Sequence, residues 1–179
     1  MISLQASDFE LFGLQPTYAL DRKRLDVQWK SLQREAHPDR FASEGASAQR
    51  VAMQWSVRIN EAYNRLKDPL KRAAYLCELN GAAVNAENNT SMPPAFLMQQ
   101  MEWREALDDC KAIKAPASKI DALEKLLDEV DSSHAEALEQ MAKLIDADHN
   151  FTAAVGQVRA LMFIEKFSQE VQHQLDACS

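Results

Sequence analysis

Glycine, cysteine and long apolar runs are scarce in this chain, and each shortage excludes a class of structure. Only four of the 179 residues are glycine, and strand-like alternation of apolar and polar residues is hard to find. The sequence therefore predicts an all-α fold. The longest apolar runs, such as residues 160–164, are far shorter than the roughly 20 residues that span a bilayer. We expect no membrane-spanning segment.

The cysteines are too few and too far apart to form a site together. Cys77, Cys110 and Cys178 include no C-x-x-C pair, so their spacing fits neither a zinc site nor a disulfide framework. We therefore expect a reducing cytoplasm, packed thiols and no metal or cofactor. No basic residue precedes Arg22, and no apolar core of signal-peptide length is present, which predicts no export signal.

Charge is divided unevenly between the two halves of the chain. Residues 1–75 hold 12 basic and 9 acidic side chains, whereas residues 76–179 hold 8 basic and 18 acidic ones. Such an asymmetry predicts two modules with different partners. The acidic half argues against a nucleic-acid partner, because phosphates would be repelled.

Helical periodicity organises the first module. A capping box, Ser7 with Glu10, begins a short helix that ends near Gly13. Asp21 is placed to cap a second helix. Asn80-Gly81 is a typical helix end. The second, third and fourth helices are expected at about 22–37, 47–67 and up to 79.

The remaining sequence predicts a linker and three more helices. Residues 82–93 lose periodicity, and helices are expected at about 94–112, 118–147 and 151–175. Short connections make them antiparallel neighbours and hence a three-helix bundle. We therefore predict domains at 1–81 and 94–179, joined by a linker at 82–93.

His37-Pro38-Asp39 stands where the second helix ends. Proline disfavours helical geometry in the residue before it, so His37 should leave the helix with its ring turned outward. Asp39 is placed to cap the turn or to accept a hydrogen bond. The same helix carries one apolar stripe (Leu25, Trp29, Leu32 and Ala36) and a basic ridge (Lys23, Lys30 and Arg34, with Val27 between them).

Taken alone, the tripeptide has competing interpretations. It is compatible with a plain helix stop, and the ridge with a merely solvated face. A His37–Asp39 catalytic pair is disfavoured, since no serine, cysteine or metal-ligand cluster is placed to complete it. A metal carrier using the three cysteines or His134 has little support from their spacing.

Residues 7–76 resemble the J domain, which stimulates ATP hydrolysis by chaperones of the DnaK class. The resemblance rests on the order of a short capped helix, a basic helix, His-Pro-Asp and a long helix ending in "INEAYNRLKDP". The fusion of "LFGL", "LQREAHPDRFA" and "RAAYLCELNG" to "AFLMQQMEWREALDD" resembles the HscB family of iron–sulfur co-chaperones over nearly the whole chain. No Gly/Phe-rich linker and no repeated C-x-x-C-x-G-x-G block is present, unlike a general DnaJ.

The resemblance implies a co-chaperone without catalytic or metal-binding residues of its own. The first module would bind an HscA-type ATPase chaperone, and the second an IscU-type iron–sulfur scaffold. An adaptor that delivers a different client to a general DnaK-class chaperone is the alternative. The implied chaperone-binding residues are Lys23, Lys30, Arg34, His37, Pro38, Asp39 and Arg40.

The scaffold-binding surface implied by the resemblance lies mainly on the helix at 94–112. A second apolar stripe there, formed by Trp103, Ala106, Leu107 and Cys110, is available to face the core instead. Phe163 lies off the main stripe of the last helix, to which Val158, Leu161 and Met162 are assigned. The implied scaffold-binding residues are Leu97, Met98, Met101, Glu102, Glu105, Asp109 and Phe163.

Overall fold

The structure is a computed structural model that describes residues 3–85 and 91–178. Within these ranges no strand occurs and no helix is long and apolar enough to cross a bilayer, and the all-α prediction is confirmed. The helices are α1 (Asp8–Leu11), α2 (Arg22–Glu35), α3 (Ala46–Lys67), α4 (Pro69–Leu79), α5 (Pro94–Ala112), α6 (Pro116–Ala142) and α7 (Phe151–Asp176), with a 3-10 turn at Pro38–Phe41 and a π-helical turn at Lys143–Ala147.

Two compact units, residues 1–76 and 77–179, make up the chain. The division falls within α4, whereas the sequence places the end of the first domain at residue 81. The predicted limits of 81 and 94 stay predictions. Each unit has its own set of buried apolar side chains.

In the first unit, α2 and α3 form an antiparallel hairpin. The Trp29 indole N–H donates to the Asn60 side-chain oxygen at 3.0 Å, and the Tyr63 hydroxyl donates to Asp26 at 2.9 Å. Between these two contacts the residue number rises on α2 and falls on α3, so the two helices are antiparallel. The predicted stripes supply the core between the helices, whose fully buried members are Leu25, Ala52, Ile59, Ala62 and Leu66.

A buried ion pair fastens α1 to α3. The Asp8 carboxylate lies 2.8 Å from Arg58 Nη1 and 3.4 Å from Arg65 Nε. The Asp8 amide also donates to the Tyr75 hydroxyl oxygen of α4 at 2.9 Å. Because two guanidiniums face one carboxylate, the charge of Asp8 is compensated although its side chain is almost fully buried. The predicted capping box of Ser7 and Glu10 is confirmed at the start of α1.

In the second unit, α6 packs against both α5 and α7, and all three surround an aromatic layer. Trp103 of α5 stacks on Phe167 of α7, with ring centroids 5.7 Å apart. Its indole N–H donates to Glu129 of α6 at 3.2 Å. The aromatic layer therefore joins the outer two helices, and α6 completes the bundle on its other side.

The helix limits in this unit are close to the predicted ones, with two differences. α6 begins at Pro116 rather than near 118, since proline is well tolerated in the first turn of a helix. Its predicted last turn is π-helical, and this wider turn places both Leu144 and Ile145 in the core.

The segment before α5 is fastened to α7 by Arg159. The guanidinium of Arg159 donates to the Val84 carbonyl at 2.7 Å and to the Ser91 carbonyl at 3.1 Å. Residues 86–90 of the predicted linker lie outside the described residues. The described parts on either side of them are therefore held against one helix of the second unit.

Candidate protein-interaction surfaces

The His-Pro-Asp segment forms a tight, exposed turn at the end of α2. The backbone of His37 is extended (φ −64°, ψ 126°), as the following proline predicts, and Pro38 begins the 3-10 turn. The turn is capped by His37 itself rather than by Asp39, since Nδ1 of the imidazole accepts the Asp39 amide proton at 3.3 Å. In the neutral ring, Nε2 therefore carries the proton.

The Asp39 carboxylate is left available by this arrangement. Its side chain is 91% exposed, and its Oδ2 lies 3.6 Å from His37 Nδ1. Arg40 folds back towards α2, where Nη1 donates to the Arg34 carbonyl at 3.3 Å. The turn thus presents the Asp39 carboxylate as a hydrogen-bond acceptor, on a backbone that His37 caps and Arg40 ties to α2.

The basic ridge of α2 is exposed beside this turn. Lys23, Lys30 and Arg34 all lie on the solvent side of the helix, and so does Val27. Asp26 belongs to the α2–α3 interface, although its carboxylate also interacts electrostatically with Lys30 of the ridge. Hydrogen bonds from Arg22 and then from Tyr63 hold the pKa of this carboxyl below its ordinary value.

The apolar residues predicted for scaffold binding are exposed on α5. Leu97 is about half exposed, Met98 is 67% exposed and Met101 is 74% exposed. The core face of α5 is instead formed by Trp103, Leu107 and Cys110, which are buried. An exposed leucine and two exposed methionines on one helix form an adaptable apolar patch of the kind found at binding surfaces.

An acidic stripe borders this apolar patch. Glu102, Glu105 and Asp109 are exposed at successive helical spacings, and none of them forms an ion pair with a described residue. Nearby basic side chains are already paired, since Arg104 lies 2.6 Å and Lys111 lies 3.7 Å from Glu170. A basic partner surface would therefore find uncompensated carboxylates here.

Phe163 is only partly exposed, and it connects α7 with α5. Its ring lies 5.8 Å from that of Phe96 in an edge-to-face contact and stacks on Phe167 at 5.8 Å. The Arg104 guanidinium lies over Phe163 at 5.4 Å from the ring centroid. Phe163 is thus held by the aromatic layer, with part of its surface open beside the α5 patch.

Met162 is exposed, so the prediction that it belongs to the buried main stripe of α7 is wrong. It is 51% exposed, although Val158 and Leu161 are buried as predicted. Three residues earlier on α7, Arg159 is buried and holds the Val84 and Ser91 carbonyls. Helical periodicity alone could not separate Met162 from the buried members of the stripe.

The alternative sites gain no geometric support from the described residues. His37 and Asp39 face solvent, and among residues 3–85 and 91–178 no three His, Cys, Asp or Glu side chains are grouped to hold a metal. Cys77 and Cys110 are buried in different helices. His134 has an acidic neighbour, Glu165, at 3.4 Å.

Comparisons with known proteins agree with the architecture of both units. Residues 92–172 match the family described as the HSCB C-terminal oligomerisation domain. Co-chaperone HscB homologues of Burkholderia multivorans and Burkholderia cenocepacia are each 48% identical over 176 residues, which cover 98% of this chain and 98% of theirs.

Solved structures show the same fold. The chaperone HscB from Vibrio cholerae has a TM-score of 0.80 and 37% identity, covering 97% of this chain and all of that one. The human co-chaperone HscB has a TM-score of 0.80 at 22% identity, covering 95% of this chain and 82% of that one, and it supports the fold alone. From its helical order, its His-Pro-Asp turn and these full-length likenesses, the chain belongs to the HscB co-chaperone family.

Proposed function

We propose that this protein stimulates the ATPase of an HscA-type chaperone and delivers an IscU-type iron–sulfur scaffold to it. The observation that carries the proposal is the pairing of two exposed surfaces on separate units. One is the capped His-Pro-Asp turn beside the basic ridge, and the other is the exposed apolar patch of α5 with its acidic stripe. A protein that recruits a client to a chaperone needs one surface for each.

The first surface suits an acidic ATPase domain. Asp39 offers an exposed carboxylate to a chaperone arginine, a charge-assisted contact worth about 1.5–3 kcal/mol. Lys23, Lys30 and Arg34 would steer the encounter, and such steering weakens as salt is added. His37 and Pro38 would keep the turn in shape, while Arg40 contributes its charge from a folded-back position.

The second surface suits a client with an apolar patch and basic flanks. Leu97, Met98 and Met101 would be covered by the scaffold, with Phe163 at the edge of the same patch. Glu102, Glu105 and Asp109 would meet cations of the client. The domains at 1–81 and 94–179 would then carry one partner each.

ATP hydrolysis would belong to the chaperone, so the protein would need no catalytic residue or cofactor of its own. It would shift the chaperone between conformations that it binds with different affinity. We place it in the cytoplasm, without nucleic-acid or membrane partners, in line with the acidic second half and the reduced cysteines.

The test is steady-state ATP hydrolysis by an HscA-type chaperone, with this protein and an IscU-type scaffold added separately and together. We expect stimulation by this protein that rises further with the scaffold. His37→Gln should abolish the stimulation, because the histidine caps the turn that presents Asp39. Leu97→Ala combined with Met101→Ala should keep the stimulation by this protein and lose the added effect of the scaffold.

Three other results would contradict parts of the proposal. Stimulation that ignores the scaffold would leave an adaptor for a different client. No stimulation at all would reduce the His-Pro-Asp turn to a helix stop. A large loss of thermal stability in the double variant would place Leu97 and Met101 in the core, contrary to their exposure.

A further inference from the structure

A groove of about 350 Å³ opens beside α7, next to the apolar patch of α5. Val84 and Met92 line it from the segment before α5, and Met162 and Phe163 line it from α7. Lys166 supplies a positive charge to the lining. Apart from Phe163, none of these residues belongs to the surfaces assigned above.

Arg159 fixes the wall that faces α7. Its guanidinium holds the Val84 and Ser91 carbonyls at 2.7 and 3.1 Å, which places Val84 and Met92 opposite the helix. Met162 comes less than one turn after Arg159 and is 51% exposed. The groove is thus a built feature of the second unit, with an unfilled apolar side.

Phe163 joins this groove to the α5 patch. The ring lines the groove and also contacts Phe96, the neighbour of Leu97, at 5.8 Å. The chain between the two anchored ends of the wall, Ala-Glu-Asn-Asn-Thr at 86–90, contains no large apolar side chain. That stretch of sequence therefore supplies no large apolar side chain that could fill the groove.

The charges of the two areas are opposite in sign. The stripe of Glu102, Glu105 and Asp109 is acidic, whereas Lys166 is exposed and forms no ion pair with a described residue. A partner that covers both areas would need cations facing α5 and a carboxylate facing Lys166. Such a pattern fixes the orientation of a bound protein.

We propose that the client protein bound by α5 extends into this groove, placing an apolar side chain against Met162 and a carboxylate beside Lys166. This inference rests on the proposed function and enlarges the α7 part of its client surface from Phe163 alone to Met162 and Lys166. Met162 and Lys166 then determine the orientation of the bound client, while Leu97 and Met101 supply contact area.

The test is calorimetric titration of the full chain with an IscU-type scaffold. Met162→Ala should weaken binding about five- to tenfold, and Lys166→Glu about tenfold, as expected for residues inside an interface. Met53→Ala is a matched control, because Met53 is 54% exposed but lies on α3 of the first unit. Lys125→Glu, an exposed lysine on α6, is the control for charge. Both controls should bind like the unaltered protein.

Leu97→Ala separates this inference from the proposed function. If Leu97→Ala loses affinity while Met162→Ala and Lys166→Glu keep it, the groove is not part of the client surface. If none of the three changes affinity, the proposed client site itself is wrong. Should Met162→Ala lower the melting temperature, Met162→Gln keeps the length of the side chain, and unaltered affinity there would overturn the inference.

Sedimentation of the same variants tests a second copy of the chain as the occupant. We expect Met162→Ala to leave the oligomeric state unchanged. Dissociation of a dimer by this change would assign the groove to self-association and overturn its assignment to the client.

Discussion

At the scale of single residues, burial separates groups that look alike in the sequence. Asp8 and Asp39 are both aspartates near helix ends, but Asp8 is buried between two arginines and Asp39 is exposed. Cys77 and Cys178 differ in the same way, since the first is buried and the second is partly exposed. These differences give predictions that concern one side chain at a time.

Replacing Asp8 should destabilise the first unit. Asp8→Asn removes the negative charge that compensates Arg58 and Arg65, and we expect a loss of about 2–4 kcal/mol. The loss should stay below that of a fully buried pair because both arginines keep contact with water. Chemical denaturation measures this loss in the free energy of unfolding, and hydrogen exchange of the α3 amides measures it locally. Asp39→Asn is the matched control and should change stability by less than about 0.5 kcal/mol; equal stability of the two variants would contradict the role given to the ion pair.

Cys77 should resist alkylation in the folded protein. Burial raises the pKa of its thiol to about 11, so almost no thiolate forms near neutral pH. At about pH 8 we expect iodoacetamide to modify Cys178 at least about 100-fold faster than Cys77. Peptide mass spectrometry over time measures both rates. Comparable labelling of the two without denaturant would show that α4 opens readily.

Sequence patterns located several of these residues, but their surroundings came from the fold. The capping box and the limits of α5 followed from local rules, because Ser7, Glu10 and Pro94 act on their own helices. The exposure of Met162 could not be read from helical spacing, which groups it with the buried Val158 and Leu161. The capping of the turn by His37 rather than Asp39 depends on the angle at which Pro38 turns the backbone.

At the scale of helices, two glycines differ in whether their backbone geometry requires glycine. Gly81 follows α4 with φ of +80°, a left-handed geometry that lets the Ala82 amide reach the Cys77 carbonyl at 2.8 Å. Gly156 lies inside α7, where an added Cβ would come no closer than 3.6 Å, to Pro93. One glycine is needed for the end of its helix, and the other is replaceable.

Gly81→Ala and Gly156→Ala should therefore change stability in opposite directions. We expect Gly81→Ala to cost about 1–2 kcal/mol, since alanine is strained at positive φ. Gly156→Ala should stabilise by about 0.5–1 kcal/mol, because alanine restricts the unfolded chain and suits a helix interior. Thermal melts of both variants measure this. A destabilising Gly156→Ala would mean that Pro93 cannot accept an ordinary contact.

At the scale of the whole molecule, the two units carry opposite net charge. The basic ridge lies in the first unit, whereas the acidic stripe lies in the second. The net charge of −7 therefore hides a positive surface that the proposed chaperone contact uses. The two partners should respond differently when this surface is changed.

Removing the ridge should slow chaperone association and leave client binding unchanged. Changing Lys23, Lys30 and Arg34 together to alanine should lower the association rate about tenfold at low salt, with little difference above about 0.5 M salt. Stopped-flow kinetics at several salt concentrations measures this. Replacing Lys125, Lys143 and Lys166 instead should spare the chaperone rate; equal slowing would point to net charge rather than to the ridge.

The anchoring of Val84 and Ser91 to Arg159 also determines where the chain tolerates extra length. Both flanks of residues 86–90 are attached to the same unit, so residues inserted between them would not lengthen the connection between the two units. Doubling the number of residues between two fixed ends costs only about 0.6 kcal/mol in closure entropy. A short peptide tag for fluorescent labelling can therefore be inserted at residues 86–90. The insertion would leave the length of the connection between the two units unchanged.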